Sequence, residues 1–184
     1  MIKIDKITEK KFSEAEKLRT IGKYDESIKI LKEIVKQYPE LPPVLNSIAL
    51  IYTSLKNFDE AQAYYQKCMK IEPVPLICIN NFAKFYYNHN MYLKALPLLQ
   101  KSLNQNIHQI QIIELTATCL YESSMKKELE NFCKEMLKKF PENKTIKHLY
   151  GKNLLKKNKH QEGLDLLKET SGVIEFGEEK YKLN

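Results

Sequence analysis

The sequence predicts an all-α fold, an α-solenoid of helix-turn-helix repeats, and three observations predict it. The stretch "GKYDESIKILKEIVKQYPE" (22–40) returns as "KNFDEAQAYYQKCMKIEPV" (56–74), each reading as a turn, an aromatic residue, Asp-Glu, a small residue, an apolar stripe and a proline. Pro39 and Pro73 are 34 residues apart, and Pro141 lies two periods beyond Pro73. Small residues recur at the same period, in one column as Ala15, Ala49, Ala83, Ala117 and Gly151, and in another as Ser27, Ala61, Ala95, Leu129 and Gly163. A period of this length marks a repeat architecture, because one copy cannot bury its apolar face alone and a stack of copies can.

The elements follow from the period. Five copies, at approximately 8–41, 42–75, 76–109, 110–143 and 144–177, are expected to form a single domain over 1–184, with a tail at 178–184. Each copy reads as two amphipathic helices joined by a short turn. The first helix begins at Thr8, or at Ser13 with Glu16 completing a capping box. Asp25 in "YDES" and Asp59 in "FDEA" are expected as N-caps of second helices, with acids in the first turn. Pro39, Pro73 and Pro141 stop second helices. Pro42 and Pro43 suit the first turn of the helix after Pro39, and Pro97 is placed within the first turn of a second helix. The small columns lie where two helix backbones approach closely. Bulky columns, Leu18, Tyr52, Tyr86, Leu120, Leu154 and Leu31, Tyr65, Leu99, Cys133, Leu167, fill the space between pairs. The fifth copy carries Lys147 where an apolar residue is expected, and Val173, Ile174 and Phe176 either fold back on the last helix, pair with another protomer or lead into further sequence.

Composition narrows the function. No apolar run approaches the roughly 18 residues of a membrane helix, and "MIKIDKITEKKF" has neither a signal core nor a small-residue cleavage site, which favours a cytoplasmic protein without membrane insertion. Cys68, Cys78, Cys119 and Cys133 form no CxxC pair and read as buried free thiols. The net charge of +7 could suit nucleic acid, but 29 of the 30 basic residues are Lys and Arg19 is the single Arg. Guanidinium forks dominate specific phosphate and base contacts, so the composition weighs against nucleic acid. No metal-ligand spacing surrounds His89, His108, His148 or His160, which read as solvated or turn residues. With five glycines and no phosphate-cradling loop, no cofactor is expected and the chain does not read as an enzyme.

The repeats resemble the tetratricopeptide repeat family, whose pattern runs aromatic, Leu-Gly, Tyr, Ala, Phe and a closing Pro. The second copy matches best, through Leu45, Ile48, Ala49, Tyr52, Ala61, Tyr65 and Pro73, and the resemblance covers roughly residues 8 to 177. The chain departs from the pattern in having no Trp, in Ile107 and Glu175 at proline places, and in Leu129 at a small-residue place. The resemblance implies a right-handed superhelix whose first helices line a concave groove that binds a peptide segment of a partner. Members that clamp a chaperone's C-terminal carboxylate use Lys and Asn residues at places that here hold Phe12, Glu16, Ser47, Ile77 and Asn81, so that mode of binding is not expected.

On that facing, the candidate peptide-binding residues are Asn46 and Ser47, with Leu50 and Thr53, in the second copy, and Asn80, Asn81, Lys84, Tyr87 and Asn88 in the third. The fourth copy adds Thr118 and Tyr121 beside Glu114, the fifth His148 and Lys152 beside Lys156, and the first Phe12, Glu16 and Arg19. Asn46 and Asn80 occupy equivalent places, and an amide can both donate to and accept from a peptide group. An alternative reading is that Asn is abundant through coding bias and faces water. Residues 76–109 contain Lys84, Lys94 and Lys101 and no Asp or Glu, a charge of +3 that favours an acidic or carboxylate-bearing segment. The function expected is a non-catalytic scaffold or adaptor that binds a protein or peptide partner. The alternatives are an assembly subunit, forming homo-oligomers or docking through its convex face or C-terminal tail, and a single-strand binder stacking bases on Tyr87 and Tyr121.

Overall fold

A computed structural model describes residues 4–171. Val173, Ile174, Glu175 and Phe176 lie outside the described residues. Among the described residues there are ten α-helices: α1 (Lys6–Thr20), α2 (Tyr24–Gln37), α3 (Pro42–Ser54), α4 (Phe58–Met69), α5 (Leu76–Asn88), α6 (Tyr92–Gln105), α7 (Ile110–Glu122), α8 (Lys126–Lys139), α9 (Lys144–Leu155) and α10 (His160–Ser171). The starts of α3, α5, α7 and α9, at 42, 76, 110 and 144, keep the 34-residue period. The chain forms two compact units, Met1–Asn90 with α1 to α5 and Met91–Asn184 with α6 to α10.

Within the first unit, Ala15, Leu31, Ile34, Val44, Ile48 and Ile51 form a buried cluster against which Phe12, Tyr24, Tyr52 and Tyr64 pack. Phe12 therefore belongs to the edge of the core rather than to an open binding face. A second, aromatic layer joins α4 to α5: Tyr65 stacks on Phe82 at 5.1 Å, and Phe85 stands 5.5 Å from Tyr65. His89 is drawn into this layer. Its Nδ1 lies 2.6 Å from the Phe85 carbonyl oxygen and its ring meets Phe58 edge-on at 4.1 Å, so it is a packed residue as well as a turn residue.

Every member of both small columns is buried. At the α1–α2 crossing, Ser27 Oγ donates to the Ala15 carbonyl at 2.8 Å, so this small residue also satisfies a backbone acceptor. At the α9–α10 crossing, Gly151 and Gly163 face one another. Where Leu129 replaces a small residue, α7 and α8 pack less closely than α9 and α10, as the added volume requires. In the second unit, Lys147 offsets its polar intrusion with a 2.7 Å ion pair to Glu169 on α10.

The helix ends differ from the sequence expectation in three places. The first helix starts at Lys6, before Thr8 or Ser13, because Asp5 caps it by accepting from the Ile7 and Thr8 amides at 2.8 Å each. Asp25 and Asp59 are not N-caps. Lys23 and Asn57 hold those positions, and the two acids sit one residue inside the first turn, where they still oppose the helix dipole. Pro97 lies past the first turn of α6, within the helix. Its missing amide would have served the carbonyl of Leu93, whose side chain is exposed, so the unmet acceptor is on the water side.

The turns between paired helices explain the shifted caps. Gly22, Lys56, Asn90, Ser124 and Asn158 all have positive φ, and they too are 34 residues apart. The residues after Gly22, Lys56, Ser124 and Asn158 turn their amides back onto the bulky column: Lys23 to Leu18, Asn57 to Tyr52, Met125 to Leu120 and Lys159 to Leu154, all at 2.9–3.0 Å. This is the left-handed closure that satisfies the last carbonyls of a helix.

One ion cluster in the second unit gives a pH signature. Glu130 on α8 is buried, accepts from Lys134 Nζ at 2.8 Å and pairs with Lys157 Nζ beyond α9. The bonds from Lys134 and then Lys157 hold its pKa at about 2 against an ordinary 4.5. The folded value is the lower one, so this stabilisation is complete above pH 4.5 and is lost as pH falls towards 2. Glu130→Gln is expected to flatten the dependence of the urea midpoint on pH across that window. An unchanged slope would contradict the assignment.

Candidate functional site

In the first unit α3 packs beside both α1 and α5, which brings the first-helix residues of three successive helix pairs together. Asn46, on α3, is 7% exposed and Ser47 is 3% exposed, so both form the floor of this face rather than its rim. Asn81 Nδ2 on α5 donates to Asn46 Oδ1 at 3.1 Å. Asn46 thus spends its carbonyl on Asn81, the neighbour of its repeat equivalent Asn80. Ser47 Oγ donates to the Pro43 carbonyl at 3.0 Å.

On α1, Arg19 reaches back to Glu16 through Nε at 3.1 Å and Nη2 at 2.8 Å. Burial raises the Glu16 pKa, but the hydrogen bonds and charge of Arg19, with the nearby Ser47 side chain acting in the same sense, outweigh it and leave the carboxyl below its usual value. The single arginine is therefore charge-compensated from within its own helix. Thr53 Oγ1 donates to the Ala49 carbonyl at 2.8 Å. On α5, Asn80 and Tyr87 are half-buried, and Lys84 and Asn88 are exposed. No acidic residue occurs on α5.

The remaining candidates lie in the second unit. Thr118 Oγ1 donates to the Glu114 carbonyl at 2.9 Å, and the Glu114 carboxylate accepts from Asn143, the N-cap of α9, at 3.1 Å. The Tyr121 ring lies 4.1 Å beneath the Lys156 ammonium. That contact occupies a ring face that base stacking would need. His148 is half-buried, and burial followed by the nearby Lys152 charge pushes its pKa down; Lys152 itself is exposed.

Sequence reasoning missed Asn143, the Tyr65 hydroxyl and the Tyr52–Tyr64 stack, whose rings are 5.7 Å apart with Lys32 and Lys67 over them. Asn143 carried a signal, since "PENK" has a capping residue directly after the Pro141 stop. Among the described residues no group of three or more His, Cys, Asp or Glu could hold a metal ion, and no helix is long and apolar enough to cross a membrane.

Comparison with known proteins bears on this arrangement. Family profiles described as tetratricopeptide repeat match residues 14–40 and 42–75. No curated protein matches the sequence. Among solved structures, MamA 41-end from Desulfovibrio magneticus RS-1 is similar at 14% identity, covering 91% of this chain and 95% of that one with a TM-score of 0.76. MamA AMB-1 is similar at 16% identity, with 94% and 95% covered and a TM-score of 0.77. YrrB, described as a TPR protein with an unusual peptide-binding site, is similar at 13% identity, with 87% and 82% covered and a TM-score of 0.74. Two repeat matches in succession, helix starts that keep the 34-residue period and small residues buried at the helix crossings together make this chain a tetratricopeptide repeat protein, an α-solenoid of paired helices.

Proposed function

We propose that the protein is a non-catalytic interaction scaffold whose first unit binds an extended segment of a partner protein on the face of α1, α3 and α5, and that the segment is acidic. The single observation that carries this reading is the charge arrangement of that face. Arg19 is answered by Glu16, whereas Lys84 projects from a helix with no acid, among Asn80, Tyr87 and Asn88. An exposed cation on a preorganised polar floor attracts carboxylates and orients them more than it adds raw affinity. Amides at Asn80 and Asn88 supply donors and acceptors for a peptide backbone. YrrB's description as a peptide binder is consistent with a fold that serves this purpose.

The test is selection of random 15-residue peptides on the immobilised full chain, followed by fluorescence anisotropy with an enriched peptide. Enrichment in Asp and Glu is expected. Lys84→Glu combined with Asn80→Ala is expected to weaken binding about tenfold or more, roughly 1.4 kcal/mol, with the melting midpoint unchanged. Equal binding by the double variant would remove the assignment of this face.

A further inference from the structure

The four cysteines are all buried free thiols, but they are not alike. Cys68, one residue from the end of α4, and Cys78, in the first turn of α5, both donate to the carbonyl oxygen of Pro42, which opens α3, at 3.4 and 3.9 Å. Three helices of the first unit therefore meet at one oxygen with two sulfurs on it. Both donations go to the one oxygen, so the two sulfurs sit side by side in a buried site, where the neighbouring Cys78 and then burial push the Cys68 thiol up. Cys119 and Cys133, in the second unit, experience burial alone, which pushes each up to about 12.

We propose that Cys68 and Cys78 are a modification site: a paired dithiol that reacts with a small-molecule disulfide such as oxidised glutathione and closes a Cys68–Cys78 disulfide joining α4 to α5. The inference does not depend on the peptide-binding reading. Cys78 is the attacking sulfur, since its longer contact to the Pro42 carbonyl holds its proton less firmly than that of Cys68, and the thiolate is the nucleophile. Cys78 gives up its proton and attacks one sulfur of oxidised glutathione. The S–S bond of the oxidant breaks, and one glutathione leaves and takes up a proton. Cys68 then gives up its proton and attacks the Cys78 sulfur of the mixed disulfide. The second glutathione leaves and is protonated. The protein has lost two hydrogens, and one disulfide has been reduced to two thiols.

Both sulfurs are shielded, so the first step requires local opening. Its extent is small: the terminal turn of α4, the connection 70–75 and the first turn of α5. Helix termini and connections open at free energies well below that of global unfolding. Cys133, in contrast, lies in the middle of α8. The bond would tie α4 to α5 where both meet the start of α3.

The experiment uses the native full chain incubated with oxidised glutathione, then alkylation of remaining thiols, unfolding, alkylation with a second reagent, and mass spectrometry of the unreduced digest. The expected result is a loss of two hydrogens, a linked pair of peptides carrying Cys68 and Cys78, and reaction at least tenfold faster than at Cys119 or Cys133. In Cys68→Ser the reaction is expected to stop at a glutathione adduct on Cys78. Four alkylated thiols after oxidant treatment of the wild-type chain would overturn the proposal. So would a lasting glutathione adduct on either cysteine of the wild type, or equal labelling of all four. Because the decisive measurement is made on the wild-type chain, it does not depend on a variant folding.

Discussion

Tyr65→Ala is expected to destabilise the protein by about 3–5 kcal/mol, the cost of deleting a large aromatic side chain from a packed interior. Tyr65 is 1% exposed, and its ring stacks on Phe82 at 5.1 Å and approaches Phe85 at 5.5 Å. These contacts join α4 to α5, so the loss removes the adhesion between two successive helix pairs and not merely one side chain's burial. The hydroxyl is a separate contribution. Burial pushes its pKa up to about 12, against the smaller opposing influence of the nearby Thr53 side chain, so it remains neutral. Tyr65→Phe keeps both ring contacts and removes only the hydroxyl, and is expected to lose no more than about 0.5–1.5 kcal/mol. Urea unfolding followed by far-ultraviolet circular dichroism measures both. If the alanine variant lay within 1 kcal/mol of the phenylalanine variant, the aromatic layer would not be what holds α4 to α5. Since whole domains are stable by only about 5–15 kcal/mol, the alanine variant is expected to leave the first unit marginal.

What made the fold legible is that the sequence states its packing rule five times. Ala15, Ala49, Ala83, Ala117 and Gly151 recur because a backbone crossing tolerates one side-chain size, and each is buried. Local chemistry was less legible. Asp25 and Asp59 look like caps because Asp is a good one, but cap position is set by where the preceding turn ends. That turn is fixed by positive φ at Gly22 and Lys56, and only one of these two is a glycine. The signal was present in Gly22, Asn90 and Asn158, residues that tolerate the left-handed region and stand two 34-residue periods apart, although Lys56 and Ser124 between them obscure it. The candidate site was less legible again. Its helices could be placed from the period, but the Asn46–Asn81 bond depends on the angle at which α3 and α5 pack, and so does the burial of Ser47. Equivalence in the repeat marked Asn46 and Asn80 as matching positions, but it carried no sign that the neighbouring Asn81 would donate to Asn46. The same holds for Cys68 and Cys78, which no short motif connects and which meet because the start of α3 lies against both.

Gly151→Leu tests the packing rule where it is tightest, and is expected to cost about 3 kcal/mol, the upper end of the usual range for overpacking. A Cβ at Gly151 would lie 2.9 Å from the Gly163 carbonyl oxygen and 2.9 Å from Leu167 Cγ; a Cβ at Gly163 would lie 2.9 Å from the Gly151 carbonyl oxygen. Backbone atoms are among the obstacles on each side, so relief requires moving α10 away from α9 rather than rotating a side chain. Even Gly151→Ala, which in an isolated helix would gain about 1 kcal/mol in propensity, is expected to lose stability here, because the 2.9 Å contact is shorter than real Cβ atoms adopt. The leucine variant is expected to unfasten α10, read as a loss of helical signal and as early proteolysis within 160–171, while α1 to α5 keep their protection in hydrogen exchange. A double-mutant cycle sharpens the point. Once one methyl group has separated the helices, the second meets less resistance, so Gly151→Ala with Gly163→Ala should cost less than the two single losses together, with a coupling of about 0.5–3 kcal/mol. Strict additivity would mean that the two glycines do not share one crossing, and the explanation of the small columns as the closest approach of paired helices would fail at the pair where it is most exacting.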